Sequence, residues 1–285
     1  MTKPQVVSTV RAMCGIVQAA QRSGQRVGVV PTMGALHDGH LSLVAASRAA
    51  CDATVVTIFV NPTQFGPNED FSRYPRTLEA DLAKLAAAGA DYAFVPDVAE
   101  MYPAGATTMV EPGEVAKPLE GQFRPGHFRG VATIVLKLFQ AVPADAAFFG
   151  QKDYQQQLVV RRMVADLLLP IEIVVCPIVR EPDGLAMSSR NVYLSADERH
   201  KALSLSRALK AAESLVTQGE RDAATIASRM QTTLREAGIE SIDYATVVDA
   251  QTLAAIDRID SLAAALIAAR VGTTRLIDNA ILSVS

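Results

Sequence analysis

Apolar residues in the first half of the chain fall into short blocks whose period alternates between that of a helix and that of a strand. Val10, Met13, Val17 and Ala20 lie near one face of a helix over 8–22, and Gly24 can end it. Val27 to Val30 read as a strand, and Leu41 to Ala50 as a helix. Thr54-Val55-Val56-Thr57-Ile58-Phe59-Val60 is a β-branched run of the kind buried on both faces of a sheet. After a polar loop at 61–75, Leu78, Leu82 and Leu85 mark a helix stopped by Gly89, and 92–95 is a short strand. Residues 96–126 are Pro- and Gly-rich and too long for a plain connection, which points to a functional loop. A helix at 128–141, a strand at 145–149, a helix at 153–167 and a strand at 171–176 follow.

Strands alternating with helices predict a parallel sheet with right-handed crossovers. Five such units give an α/β, doubly wound, Rossmann-like domain over residues 1–183. The pattern then changes. Ser195-Ala196-Asp197-Glu198 is a capping box, opening a long helix to about Gln218. A second helix runs from about Arg221 to Ala237. Strand-like runs at 243–248, 264–269 and 275–277 come last, and the Ala-rich middle run fits a helix equally well. Residues 184–285 are thus expected to form a smaller α+β domain.

Composition narrows the partners. Hydrophobic residues make up 49% of the 285, enough for a sizeable core, and the absence of Trp makes that core aliphatic. A net charge of −3 argues against nucleic acid and for a small molecule. No charge-free apolar run of 18 residues is present, so no membrane span is expected, and the start lacks the apolar run of a signal peptide. Cys14, Cys51 and Cys176 form no CxxC pair, and Cys51 and Cys176 read as small buried hydrophobes. A reducing cytoplasm fits this usage.

Candidate chemistry concentrates where strands end. Pro31-Thr32-Met33-Gly34-Ala35-Leu36-His37-Asp38-Gly39-His40 joins a strand to a helix N-terminus, where backbone N–H groups and the positive end of the helix dipole favour an anion. His37 and His40 can donate hydrogen bonds or a proton to phosphate near neutral pH, and Gly39 permits close approach. Asn61 and Gln64 follow the next strand, as amides for a polar substrate. Gly150-Gln151-Lys152-Asp153 follows a later one: Lys152 can hold a phosphate, Asp153 can cap the helix or bind ribose, and Gln156 lies one turn inside. Met187-Ser188-Ser189-Arg190 sits at the domain junction, with hydroxyls and a guanidinium suited to a triphosphate. Singly, each cluster also fits a cap, an Asn-Pro turn, a solvated Lys or a Ser-rich hinge. Four of them gathered at one sheet edge point to a nucleotide site. A dinucleotide site is disfavoured, since no GxGxxG follows the first strand.

The ordered motifs resemble the pantothenate synthetase (pantoate–β-alanine ligase) family of the His-x-Gly-His nucleotidyltransferases. They are 31–40, Phe59 to Phe65, Arg73 to Thr77, Leu119-Glu120-Gly121 with Arg124 to Phe128, Gly150 to Tyr154, and Met187 to Asn191. The resemblance implies ATP-dependent condensation of pantoate with β-alanine through a pantoyl adenylate, giving pantothenate, AMP and pyrophosphate. It implies that Met33, Gly34, Ala35, Leu36, His37, Asp38, Gly39 and His40 form the ATP loop, with His40 as proton donor. Gly150, Gln151, Lys152, Asp153 and Val179 would hold the nucleoside, with Lys152 on phosphate, and Met187, Ser188, Ser189 and Arg190 would close over the phosphates. Gln64 and Gln156, with Asn61 nearby, would grip pantoate, and Tyr74, Glu120 and Arg124 would border the β-alanine entrance. Mg²⁺ is implied through ATP without a named protein ligand, and a cytoplasmic homodimer is the family's usual state. His127 and His200 are expected to be structural. Two rivals share parts of this pattern: a nucleotidyltransferase that stops at nucleotide transfer, and a nucleotide sensor without catalysis.

Overall fold

The computed structural model describes residues 3–67 and 69–284. By packing, the chain divides into two units, Met1–Gly150 with Gln156–Pro177, and Gln151–Gln155 with Ile178–Ser285.

The first unit is built on six parallel strands: β1 (Gln5–Val7), β2 (Val27–Thr32), β3 (Ala53–Ile58), β4 (Tyr92–Phe94), β5 (Ala146–Gly150) and β6 (Glu172–Cys176). Their order is β1-β4-β3-β2-β5-β6. The chain steps outward from β2 through β3 to β4, then returns to place β5 on the other flank of β2. The order therefore reverses between β2 and β5, the point where open α/β sheets bind ligands beyond their strand carboxyl ends. Val29 pairs with Val55 and Val30 with Val56, all four fully buried. Such β-branched side chains are stiff and pack well on a pleated surface covered on both sides.

Helices α1 (Val10–Arg22), α2 (Asp38–Ala50), α3 (Leu78–Ala88), α4 (Val98–Met101), α5 (Glu120–Phe123), α6 (His127–Ala141) and α7 (Tyr154–Asp166) accompany these strands. Met13 and Val17 of α1 join α6 residues such as Val131 and Val135 in one core cluster. Leu43 and Val44 of α2, with Leu85 of α3, close another. Gly28 lets α2 lie directly on the sheet: a Cβ there would sit 2.2 Å from the Ser47 hydroxyl.

Several boundaries differ from the sequence expectation. β2 runs two residues further, through Pro31, because hydroxyls take over pairing where proline lacks an N–H: Thr32 Oγ1 donates to the Thr57 carbonyl at 2.6 Å. α2 begins at Asp38, with extended His37 as its N-cap, so the connecting loop is only Met33–His37. The edge strand β1 was not expected; three residues are too few to show a period. The long 96–126 segment contains α4, α5 and a single 3₁₀ turn at Glu114–Ala116.

In the second unit, α8 (Ala196–Thr217) and α9 (Ala223–Glu236) pack on an antiparallel sheet of β7 (Ile242–Asp249), β8 (Ala263–Val271) and β9 (Thr274–Leu282). The capping box is present: Ser195 and Glu198 exchange hydrogen bonds at 3.2 and 2.8 Å. The ambiguous Ala-rich run is the central strand β8. Its small side chains are buried and let helices approach closely, among them Leu205, Leu209 and Ile226 of the same core. Among the described residues, no helix is long and apolar enough to cross a membrane.

Candidate active site

Because the six strands are parallel, Thr32, Ile58 and Gly150 all end on one edge of the first sheet. The β2–α2 loop presents the histidine pair there. Gly34 and Ala35 are both left-handed, at φ 81° and 50°, and this double reversal brings the chain quickly to the α2 N-terminus. His40 stands at the third helical position, and its Nδ1 accepts the backbone N–H of His37 at 3.4 Å. An Nδ1 that accepts leaves the neutral ring's proton on Nε2. The two imidazole rings stack at 4.0 Å between centroids, tilted by 31°. Asp38 in the first turn suits the helix dipole.

Sequence reasoning missed what holds this loop. Asp81 of α3, 1% exposed, accepts the N–H groups of Ala35 and Leu36 at 2.9 and 2.8 Å and the Thr77 hydroxyl at 3.2 Å. Lys84, one turn on, donates to the Leu36 carbonyl. Two of the N–H groups expected to face a ligand are therefore spent on a carboxylate.

After β3, Asn61 and Gln64 form the amide pair. Asn61 is buried, and its Nδ2 donates to Gln64 Oε1 at 3.0 Å and to the Gly130 carbonyl at 3.2 Å. Asn61 Oδ1 accepts from Tyr102 at 2.8 Å and from Thr63 at 3.0 Å. Gln64 Nε2 lies 3.1 Å from Met33 Sδ, which brings the amide turn beside the start of the histidine loop. The turn rests on α6, where Gly130 is required: a Cβ there would sit 2.3 Å from the Thr63 carbonyl oxygen.

His127, expected to be structural, anchors this turn. Its Nδ1 lies 2.9 Å from the Gln64 carbonyl and its Nε2 3.0 Å from Arg124 Nη1. A carbonyl only accepts and a guanidinium only donates, so the ring is neutral with its proton on Nδ1. Burial, and then the neighbouring Arg124 charge, push its pKa down to about 4. Arg124 itself is gripped by Glu69 at 2.6 and 2.7 Å, and Glu120 lies 3.7 Å away. Burial alone would raise the Glu69 carboxyl; the Arg124 guanidinium overrides it and holds it below the usual range. Tyr74 is buried, its ring edge-on to Phe65 at 5.9 Å. Gln156 is half-buried in the first turn of α7.

The remaining predicted residues belong to the second unit. Asn279 of β9 clasps the 151–152 turn, donating to the Gln151 and Lys152 carbonyls at 3.0 and 2.9 Å. Tyr154 donates to the Ala250 carbonyl at 2.7 Å. Val179 and Met187 face each other across a short hairpin, the Met187 N–H donating to the Val179 carbonyl at 3.0 Å. Ser188 caps the 3₁₀ turn Ser189–Tyr193, accepting the Arg190 N–H at 3.3 Å.

No group of three or more His, Cys, Asp or Glu among the described residues is arranged to hold a metal.

The model of the pantoate-beta-alanine ligase family matches residues 5–281. A pantothenate synthetase of Acidobacterium capsulatum is 58% identical over 256 residues, 90% of this chain and 86% of that one. The crystal structure of the Thermus thermophilus pantothenate synthetase superposes with a TM-score of 0.92 at 47% identity, covering 97% of this chain and 98% of that chain. A Francisella tularensis pantoate-beta-alanine ligase, solved with beta-gamma ATP and beta-alanine, superposes at 0.78 with 33% identity, covering 98% and 97%. The chain belongs to the pantoate-beta-alanine ligase family.

Proposed function

We propose that this ligase joins pantoate to β-alanine in two steps at the carboxyl edge of the first sheet. The observation that carries the reading is the His37–His40 pair at the α2 N-terminus, with the Gln64 amide against Met33 of the same loop. In the first step a carboxylate oxygen of pantoate attacks the α-phosphorus of ATP. The bond to the bridging oxygen breaks, and pyrophosphate leaves. The His40 Nε2–H donates to the phosphate oxygens as their charge grows, with His37 beside it, at a helix end that favours anions. Lys152 and Arg190 offset the remaining charge, and Met187, Ser188 and Ser189 close over the phosphates. Gly150, Gln151, Asp153 and Val179 hold the nucleoside. Asn61, Gln64 and Gln156 orient the pantoate hydroxyls and carboxylate.

In the second step the amine of β-alanine attacks the acyl carbon of pantoyl adenylate. The acyl C–O bond breaks, AMP leaves, and the nitrogen loses a proton. Tyr74, Glu120 and Arg124 border the entrance for this amino acid. No protein nucleophile is needed, so catalysis is positioning and charge stabilisation. Holding two reactants in line can supply on the order of 7–11 kcal/mol. The nucleotide is taken as MgATP, the ion travelling with the substrate. In this reading residues 1–183 form the ATP- and pantoate-binding domain and residues 184–285 a small α+β lid domain. A cytoplasmic homodimer follows from the family resemblance, and a solution mass of two chains checks its stoichiometry.

The test is pyrophosphate and AMP release from ATP and Mg²⁺ with pantoate, with and without β-alanine. Pantoate-dependent pyrophosphate release, with AMP and pantothenate turning over only when β-alanine is added, is expected. Folded protein that releases no pyrophosphate with both substrates present would rule the reading out.

A further inference from the structure

We infer that Asp81 is a positioning residue for the histidine pair: through α3 it sets the shape of the loop on which His37 and His40 act. The inference rests on the assignment of that loop to ATP phosphates.

The geometry is specific. Asp81 is a buried carboxylate with both oxygens engaged. Oδ1 accepts from Leu36 N–H, and Oδ2 accepts from Ala35 N–H and from the Thr77 hydroxyl. The two N–H donors belong to consecutive residues, the first of which is left-handed, a region that L-residues with a Cβ avoid. Left to itself Ala35 would relax out of it. A single carboxylate that ties Ala35 and Leu36 together makes the relaxed form costly, because it would strand a buried charge. Lys84 lies three residues after Asp81, so both side chains project from one face of α3. Between them they hold Leu36 on both sides of its Cα, the N–H by Asp81 and the carbonyl by Lys84. The next residue is His37, the N-cap of α2, and His40 hangs on the His37 N–H. The position of both imidazoles is thus fixed one step away from α3. Gly34 is pressed into the same corner: a Cβ would lie 3.1 Å from Ile58 Cγ2 and 3.2 Å from Asp81 Oδ2.

A chemical consequence follows. With the Ala35 and Leu36 N–H groups already satisfied, the loop is not a ring of backbone donors for phosphate. The imidazoles of His37 and His40 then carry more of the phosphate recognition proposed for this loop. A brace acting through them should change how ATP is used and leave pantoate recognition alone.

Steady-state kinetics of D81N and K84M, with H40A as reference and melting curves for each, test this. Asparagine keeps the shape of Asp81 but replaces one acceptor by an N–H₂ donor, which meets a backbone N–H head-on. Expected for D81N is an ATP KM raised about tenfold or more with a lowered kcat, while the pantoate KM stays within about twofold. K84M keeps the aliphatic stem and should show the same ATP-selective change at smaller size. A merely structural role would lower the melting temperature and leave the ATP KM of the folded enzyme unchanged. If D81N does not fold, K84M decides alone: an ATP-selective loss supports the brace, and wild-type kinetics overturn it. Impaired H40A beside unaffected D81N and K84M removes the brace only. Unaffected H40A removes the assignment of the loop itself.

Discussion

Two turns leave neighbouring strands of the same sheet, and they are held by opposite means. Met33–His37, after β2, is gripped by charge: a buried carboxylate takes two backbone N–H groups and a lysine takes a carbonyl. The turn after β3, Asn61 to Phe65, is held by neutral groups and by lack of room. A neutral imidazole meets the Gln64 carbonyl, and the α6 backbone at Gly130 touches Thr63. An anionic brace directs its hydrogen bonds strongly but must keep every oxygen satisfied. A steric brace needs no charge, yet a single methyl group can break it. The difference suits the two ligands proposed for these turns, a polyanion at the first and a small hydroxy acid at the second.

Breaking the first turn's chemistry without touching its brace should give the largest effect. H40A is expected to lower kcat/KM by roughly 10²–10⁴. Its melting temperature should move little, because the carboxylate grip on Ala35 and Leu36 remains. A kcat/KM within twofold of wild type would show that the braced shape serves something other than phosphate.

The second turn should yield to sterics. In G130A the added methyl must displace the Thr63 carbonyl and the Gln64 Cα, 2.3 and 2.7 Å away. A loss of about 1–3 kcal/mol in denaturant titration is expected, with a raised pantoate KM. Unchanged stability would mean that the turn yields freely and that α6 is not its brace.

The smallest expected effect separates the two braces by pH. His127 has a folded-state pKa depressed to about 4 from 6.5, so the unfolded chain takes up its proton first. Its contribution is complete above pH 6.5 and is lost as pH falls through 6.5 toward 4. H127N keeps an N–H for the Gln64 carbonyl and does not titrate. One pH unit into this window, wild type should have lost about 1 kcal/mol more than H127N. Parallel stability–pH curves would mean that His127 titrates normally. Glu69, held below its usual range beside Arg124, loses its own contribution at lower pH in both proteins.

The parts of this molecule legible in sequence are those with a local period or cap. The β-branched run became β3, and Ser195 with Glu198 became a capping box, because each rests on neighbours a few residues away. The motif residues were legible as types at strand ends. Their supports were not. Asp81 reaches Leu36 across 45 positions and His127 reaches Gln64 across 63. In sequence Asp81 is one acid beside Leu82 on an amphipathic helix, and nothing local separates it from a solvated one. β8 was ambiguous for a related reason: alanine is a good helix former, and only pairing with β7 and β9 decides for a strand.

The cysteines carry a consequence for the surroundings in which the enzyme can work. Half-buried Cys51 closes α2 and buried Cys176 ends β6, and burial raises both thiols above their ordinary range. Thiols held protonated are poor targets for peroxide, electrophiles and disulfide exchange. In a reaction whose attacking atoms are all brought by the substrates, neither sulfur is needed for turnover. Turnover by the proposed route would then not depend on a reactive thiolate at Cys51 or Cys176.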